Sequence, residues 1–340
     1  MQLSNLRYSN INAKLKGMNA KGLNKKDIYD LAKQNDFSSA VYFLKNELEV
    51  LKNINENSDR IMIEKELDKI TINDIYKIER VLNQKEKEIF DKFISKYEIN
   101  CIKEVLKNLN NNVDMKKKLE NIDIWTKNVF KHIDGITNVD TEDEFLAKIK
   151  KSLYYKLIKK YFEEKDGFEN ISINEIEILL DQKYFLDLFK VAKEYDSNLE
   201  NLIGERIDLL NIIWIYRMKK NYNISNEETE SKLIKVNYKL SKKMIYELIK
   251  ANDFEEMRKI LKDSCYWKIV ENTKENELEK NIDKYLYKKY ELEFSKSKYN
   301  ISMVFCYMFL QEIKMQNIII ILEGLNYYMP RSEIERKIIN

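Results

Sequence analysis

In ERIDLLNIIWIYRMKKN, residues 205 to 221, Ile207, Leu210, Trp214 and Met218 recur at three- and four-residue intervals. That spacing predicts one buried stripe of an α-helix. Asn211 lies on the same stripe, where an amide has no obvious business. QEIKMQNIIIILEGLN, residues 311 to 326, repeats the arrangement with Asn317, in a segment that is apolar nearly all round and so predicted to be buried on more than one side. A buried amide left unpaired costs about 1–3 kcal/mol, so both amides are expected to find partners, most simply a backbone carbonyl or a side chain of an adjacent module.

The same segment recurs a third time. EINCIKEVLK (98–107), RIDLLNIIWI (206–215) and EIKMQNIIII (312–321) are spaced 108 and 106 residues apart, with Lys103 standing where the later copies have asparagine. Upstream, LNKKDIYDLAKQNDFSSAVYFLKN (Leu23 to Asn46) aligns without gaps on LSKKMIYELIKANDFEEMRKILKD (Leu240 to Asp263), twelve of twenty-four positions being identical. Both copies place a capping residue, Asn24 or Ser241, before a short amphipathic helix, and Asp36 or Asp253 before a second one, which predicts a helical hairpin. Asp253 with Glu256, and Thr141 with Glu144 in a fainter middle copy, have capping-box spacing. In that middle copy SLYYKLI (152–158) parallels SCYWKIV (264–270). After each hairpin comes Glu-x-x-Leu/Ile-Asp at the start of a long amphipathic helix: Glu64 to Asp68, Glu177 to Asp181 and Glu279 to Asp283. The expectation is an all-α chain of three modules, residues 1–112, 113–225 and 226–340, with boundaries in the polar stretches near Asn112 and Ser225.

Composition sharpens this picture. A single Pro and six Gly in 340 residues leave long helices uninterrupted. The formal charge of +3, from 60 basic and 57 acidic residues, provides no global field for gripping nucleic acid, and none is expected as a partner. Cys101, Cys265 and Cys306 fit neither a disulfide framework nor a zinc spacing, which suits a reducing compartment. The N-terminal MQLSNLRYSN lacks the apolar core of a secretory signal, and the most apolar window is interrupted by Glu312 and Lys314, so a soluble, cytoplasmic protein is expected.

Candidate chemistry changes little. The only histidine, His132, rules out sites that need two, and reads as a surface or packing residue. Neither G-x-x-x-x-G-K-[ST] nor G-x-G-x-x-G occurs. The acidic pairs Glu227–Glu228 and Glu255–Glu256 fall in first helical turns, where negative charge complements the helix dipole. LYYKLIKKYFEEK (153–165) mixes aromatic and basic residues that could stack on bases or touch acidic lipid headgroups. Tyr154, Leu157, Ile158 and Tyr161 form one stripe, however, with Lys156, Lys159 and Lys160 along its edges, which reads as packing. No catalytic, cofactor-binding or metal-ligating residue is assigned, no cofactor or small-molecule substrate is expected, and the partner-binding residues are not identified.

Taken in order, YSNINAKLKGM followed by LNKKDIYDL, the three Glu-x-x-Leu/Ile-Asp helices, and the RIDLLNIIWIYRMKK and EIKMQNIIIILEG helices resemble a stalk-protein family of rotary ATPases. Its members are designated C in the archaeal and bacterial V/A-type ATPases and d in the eukaryotic vacuolar enzyme. The likeness runs from about Tyr8 to the end. It implies a funnel of three similar helical modules around a pseudo-threefold axis, seated between the membrane proteolipid ring and the central shaft of subunits D and F. Such a protein does not hydrolyse ATP; it passes rotation in a complex that moves H⁺ or Na⁺ and lies peripherally on the membrane. Leu210, Asn211 and Arg217, with Glu312 and Asn317 in the third module, fall on the family pattern and are taken as architectural. A glycine that commonly precedes the third hairpin is missing from KVNYKLSKK, which makes the local turn there unusual. Two rivals stand beside this reading. A helical-repeat scaffold would be an open solenoid, separable by small-angle scattering. A carboxylate-only metal-dependent hydrolase would carry stoichiometric metal.

Overall fold

The computed structural model describes residues 2–55, 58–111, 116–165, 170–222, 224–296 and 300–339, and every regular element among them is a helix. In chain order these are α1 (Gln2–Lys21), α2 (Lys25–Ala32), α3 (Phe37–Glu47), α4 (Arg60–Glu79), α5 (Gln84–Asn111), α6 (Lys116–Asn128), α7 (Glu142–Lys148), α8 (Tyr155–Glu164) and α9 (Ile173–Tyr195). They continue as α10 (Ser197–Tyr222), α11 (Asn226–Lys232), α12 (Lys242–Lys250), α13 (Phe254–Leu261), α14 (Trp267–Val270), α15 (Leu278–Ser295), α16 (Ser302–Asn326) and α17 (Arg331–Lys337), with short 3₁₀ turns between some of them. The sole proline, Pro330, stands just before α17, where its missing N–H costs nothing.

The caps expected from the sequence form. Asp36 accepts from Ser39 N at 2.7 Å and Ser241 from Met244 N at 3.1 Å, and Ser225, not foreseen as a cap, accepts from Glu228 N at 3.1 Å. Ser225, the second predicted boundary, thus starts α11, while Asn112 lies outside the described residues. Glu256 N bonds Asp253 at 2.8 Å, but the Glu256 carboxylate reaches back to Asn252 N, one residue beyond the usual capping-box partner. Thr141 and Glu144 repeat that variant, with Glu144 Oε2 on Asp140 N at 2.9 Å. An unforeseen reciprocal box opens the longest helix, α5, where Asn83 and Glu86 exchange bonds of 3.0 Å in each direction.

The chain packs into two compact units, one of Lys33–Tyr184 with Leu325–Tyr328, the other of Met1–Ala32, Phe185–Gly324 and Met329–Asn340. In the first, α4 and α5 both pack on α6, around a core that includes the fully buried Phe90, Phe93, Phe145 and Phe162. Burying one such side chain contributes about 1.5–3 kcal/mol. In the second, α10 packs against α15, and α16 supplies an unbroken buried run from Met303 to Leu310. By length and composition α16 could cross a membrane, but 67% of its apolar window is buried inside the protein, as a core helix would be. The N-terminal segment joins this unit: Asn19 Oδ1 accepts from Gln311 at 3.2 Å and Lys314 at 2.8 Å, Lys25 pairs with Glu291 at 2.9 Å, and α2 packs on α17.

Candidate functional site

Residues 201, 204, 205, 208 and 211 share one face of α10, and along that face runs the irregular strap 234–240 between α11 and α12. Asn211 Nδ2 donates to the carbonyl of Ile234 at 3.0 Å while its Oδ1 accepts from Ile234 N at 2.9 Å. Asp208, with no exposed surface, accepts from the backbone N–H groups of Tyr238, Lys239 and Leu240 at 3.3, 2.7 and 3.1 Å and from Tyr266 Oη at 2.9 Å. Burial pushes the Asp208 carboxyl above its ordinary range, although those four donors pull it back. Burial also raises the Glu205 carboxyl, but Lys239 and Lys289 outweigh it and leave the group below its ordinary value; Tyr285 Oη adds a bond of 3.0 Å. Both buried carboxyl groups thus have the hydrogen-bonding or charged partners that burial makes necessary.

The second asparagine does the same work. Asn317 Nδ2 donates to Ile339 O at 2.8 Å and its Oδ1 accepts from Ile339 N at 2.9 Å, directly after α17. Each amide therefore holds both backbone groups of a residue that follows a short helix, 23 or 22 positions on. For Asn211 that residue falls in the next sequence repeat, as expected, whereas Asn317 departs from the expectation and closes on its own repeat, because the chain after α17 returns along α16. Lys103, in the earliest copy, instead meets Asp181 at 2.7 Å, while Lys107 meets Glu177 at 2.8 Å, so the α9 motif grips α5. In the third copy Glu279 binds Arg217 of α10 through two bonds of 2.6 and 2.5 Å, a planar fork that fixes orientation as well as distance. The Ser-x-Tyr turns also match: Ser152 Oγ and Ser264 Oγ each accept from the N–H two residues on at 3.1 Å, and the buried tyrosines reach Ser95 at 2.8 Å and Asp208 at 2.9 Å.

The motif aspartates are less well compensated. Asp68 is pushed up to about 6 by burial despite a bond from Trp125, and Asp283 to about 6 by burial despite Arg206. Burial raises Asp181 as well, with Lys103 opposing. Their folded values exceed the ordinary 3.8, so between about pH 4 and 6 the folded protein binds protons that the unfolded chain releases. Stability from these groups is complete below the unfolded value and is lost as pH rises through 6. Asp283→Asn should accordingly raise stability by about 2 kcal/mol at pH 7.5 and change it little at pH 4, as read by thermal melting across that range. Equal shifts at both ends would mean that the side chain acts through packing alone.

Asp283 also lines a cleft of about 950 Å³ between α10, α15, α16 and α17, whose walls carry Arg217, Lys220, Lys280, Arg336, Glu275 and Glu279 among others. Both signs are interspersed, and Lys220–Glu275 at 3.2 Å and Arg217–Glu279 are already paired, so the cleft presents a hydrogen-bonding surface of nearly balanced charge. His132 is neither a bare surface residue nor a ligand in a cluster: its Nε2 lies 2.9 Å from the buried Glu98. All three cysteines are free, Cys101 and Cys306 buried and Cys265 exposed. Among the described residues no group of three or more His, Cys, Asp or Glu could hold a metal ion. Sequence reasoning reached Asn211, Asn317, Lys103 and the motif carboxylates but missed Gly204, Glu205 and Asp208, whose signal was a polar continuation of the Asn211 stripe one and two turns upstream.

Comparison with curated proteins gives no match. The family described as ATP synthase (C/AC39) subunit matches residues 11–337, nearly the whole chain, including Asn211 and Asn317. On that match, which agrees with the ordered helices and paired motifs, the chain belongs to the C/AC39 family, whose members are structural parts of the membrane-associated V/A-type ATPase.

Proposed function

We propose that this protein is a central-stalk rotor component that joins the shaft subunits D and F to the membrane proteolipid ring and transmits torque, without hydrolysing ATP itself. The observation that carries the reading is the family match over residues 11–337. The mechanics support it. A torque element must resist shear between its parts, and here the parts are cross-braced by side chains that act at fixed geometry. Each Glu-x-x-Leu/Ile-Asp helix of the second and third repeats is tied to the long helix of the repeat before it, α9 to α5 and α15 to α10. The N-terminal segment is tied to α16. Helices of 20 to 28 residues with no interior proline supply the stiff members. The charged cleft is a surface on which a partner of the complex could dock with specific orientation.

The test is capture of the tagged chain from its native membranes under mild detergent, followed by mass spectrometry. Both shaft and ring components are expected in stoichiometric amounts. Recovery of the chain with neither would overturn the proposal.

A further inference from the structure

Residues 146–160 contain six lysines and no acidic residue. All six lysines are exposed. Lys159 and Lys160 lean toward Glu163 and Glu164 at 3.6 and 3.4 Å, and Lys148 donates to Asp134 O at 3.4 Å. Lys150, Lys151 and Lys156 make no ion pair with the described residues. At the tip of the turn between them stands Leu153, 52% exposed, flanked by the buried Ser152 and Tyr154. The turn is held from within, by Ser152 N on Ile149 O at 2.8 Å, Tyr154 N on Ser152 Oγ and Tyr154 Oη on Ser95. The matching turn at Ser264–Tyr266 shares the first two of these bonds, its tyrosine reaching Asp208 instead, but carries Asp263 and Cys265 where this one has Lys151 and Leu153. The backbone of this turn therefore demands neither Lys151 nor Leu153.

We propose that this turn is a contact for an anionic bilayer surface, with Lys150, Lys151 and Lys156 at the headgroup phosphates and Leu153 inserted at the acyl boundary. An apolar tip ringed by unpaired cations matches the layering of such an interface, where charge and hydrocarbon lie a few ångströms apart. A single leucine is too little apolar area for the core of a protein interface, which favours lipid over an acidic protein. The contact goes beyond the rotor reading, since it needs neither shaft nor ring. It is tested with the purified full chain and vesicles, by co-sedimentation at about 0.1 M salt. Wild type should bind phosphatidylcholine vesicles that contain phosphatidylserine and not phosphatidylcholine alone. K150Q/K151Q/K156Q should weaken binding about a hundredfold, from about fivefold per lysine, and Leu153→Ser about tenfold. Both variants should melt as wild type does, because the changed side chains are exposed. In Leu153→Trp, fluorescence should shift to the blue, relative to wild type, on the anionic vesicles and not on soluble polyglutamate. Failure of wild type to bind, binding that survives the triple substitution, or an equal shift on polyglutamate, the mark of an acidic protein partner, would each overturn the proposal.

Discussion

Asp208→Ala is expected to be the most damaging single substitution on the inner face of α10, lowering stability by about 4 kcal/mol. The carboxylate satisfies three backbone N–H groups of residues 238–240 and the Tyr266 hydroxyl at once. Alanine would leave all four donors facing a vacated buried space. Each unsatisfied buried donor costs about 1–3 kcal/mol, and a water entering the cavity would recover part of the total. Asp208→Asn should fall between wild type and Ala, because its oxygen can serve some of the donors while its NH₂ opposes the rest. Thermal melting reads the global effect. Hydrogen exchange reads the local one, and the amides of Tyr238, Lys239 and Leu240 should lose protection first. If Asp208→Ala melts within about 1 °C of wild type, the strap is not held by this residue.

This clamp also shows what the sequence could and could not convey. Helix positions, caps and the recurrence of Asn211 and Asn317 were legible because they are local or periodic: a capping bond spans three residues, and a buried stripe repeats every turn. Even the need of the two amides for partners followed from desolvation cost. Their partners did not, because Ile234 and Ile339 lie in irregular segments with no period to mark them. Asp208 was harder still. Its repeat counterparts are Asn100 and Lys314, so the internal comparison that exposed the asparagines was silent here. The aromatic and basic stretch 153–165 does pack through Tyr154, Ile158 and Tyr161, all buried, whereas the outward turn of Leu153 within it required coordinates. The division into two compact units crosses the sequence repeats, and the second and third repeats each lean on the long helix of the one before, a long-range pairing that no periodicity encodes.

The missing glycine in KVNYKLSKK has a structural counterpart. Among the described residues only Tyr328, at φ 54°, combines a side chain with a left-handed backbone, so the strap makes its path without that conformation. A bulky residue of the strap, Tyr238, is accommodated by Gly204 of α10, where an added Cβ would lie 2.4 Å from the Tyr238 ring. That ring is not free to withdraw: its hydroxyl bonds Asn201 at 3.2 Å, its N–H bonds Asp208, and it meets Phe189 edge-on at 6.0 Å. In an ordinary helix, replacing glycine stabilises by up to about 1 kcal/mol. Here Gly204→Val should destabilise by about 3 kcal/mol, since a branched side chain must displace either the ring or the helix. The sign of the effect thus separates close approach from helix propensity. Combining Gly204→Val with Tyr238→Ala should cost less than the two changes added together, with a coupling of about 2 kcal/mol in melting or denaturant titration. Strict additivity would mean that valine is resisted by something other than this ring, and the glycine would lose its role as the seat of the strap.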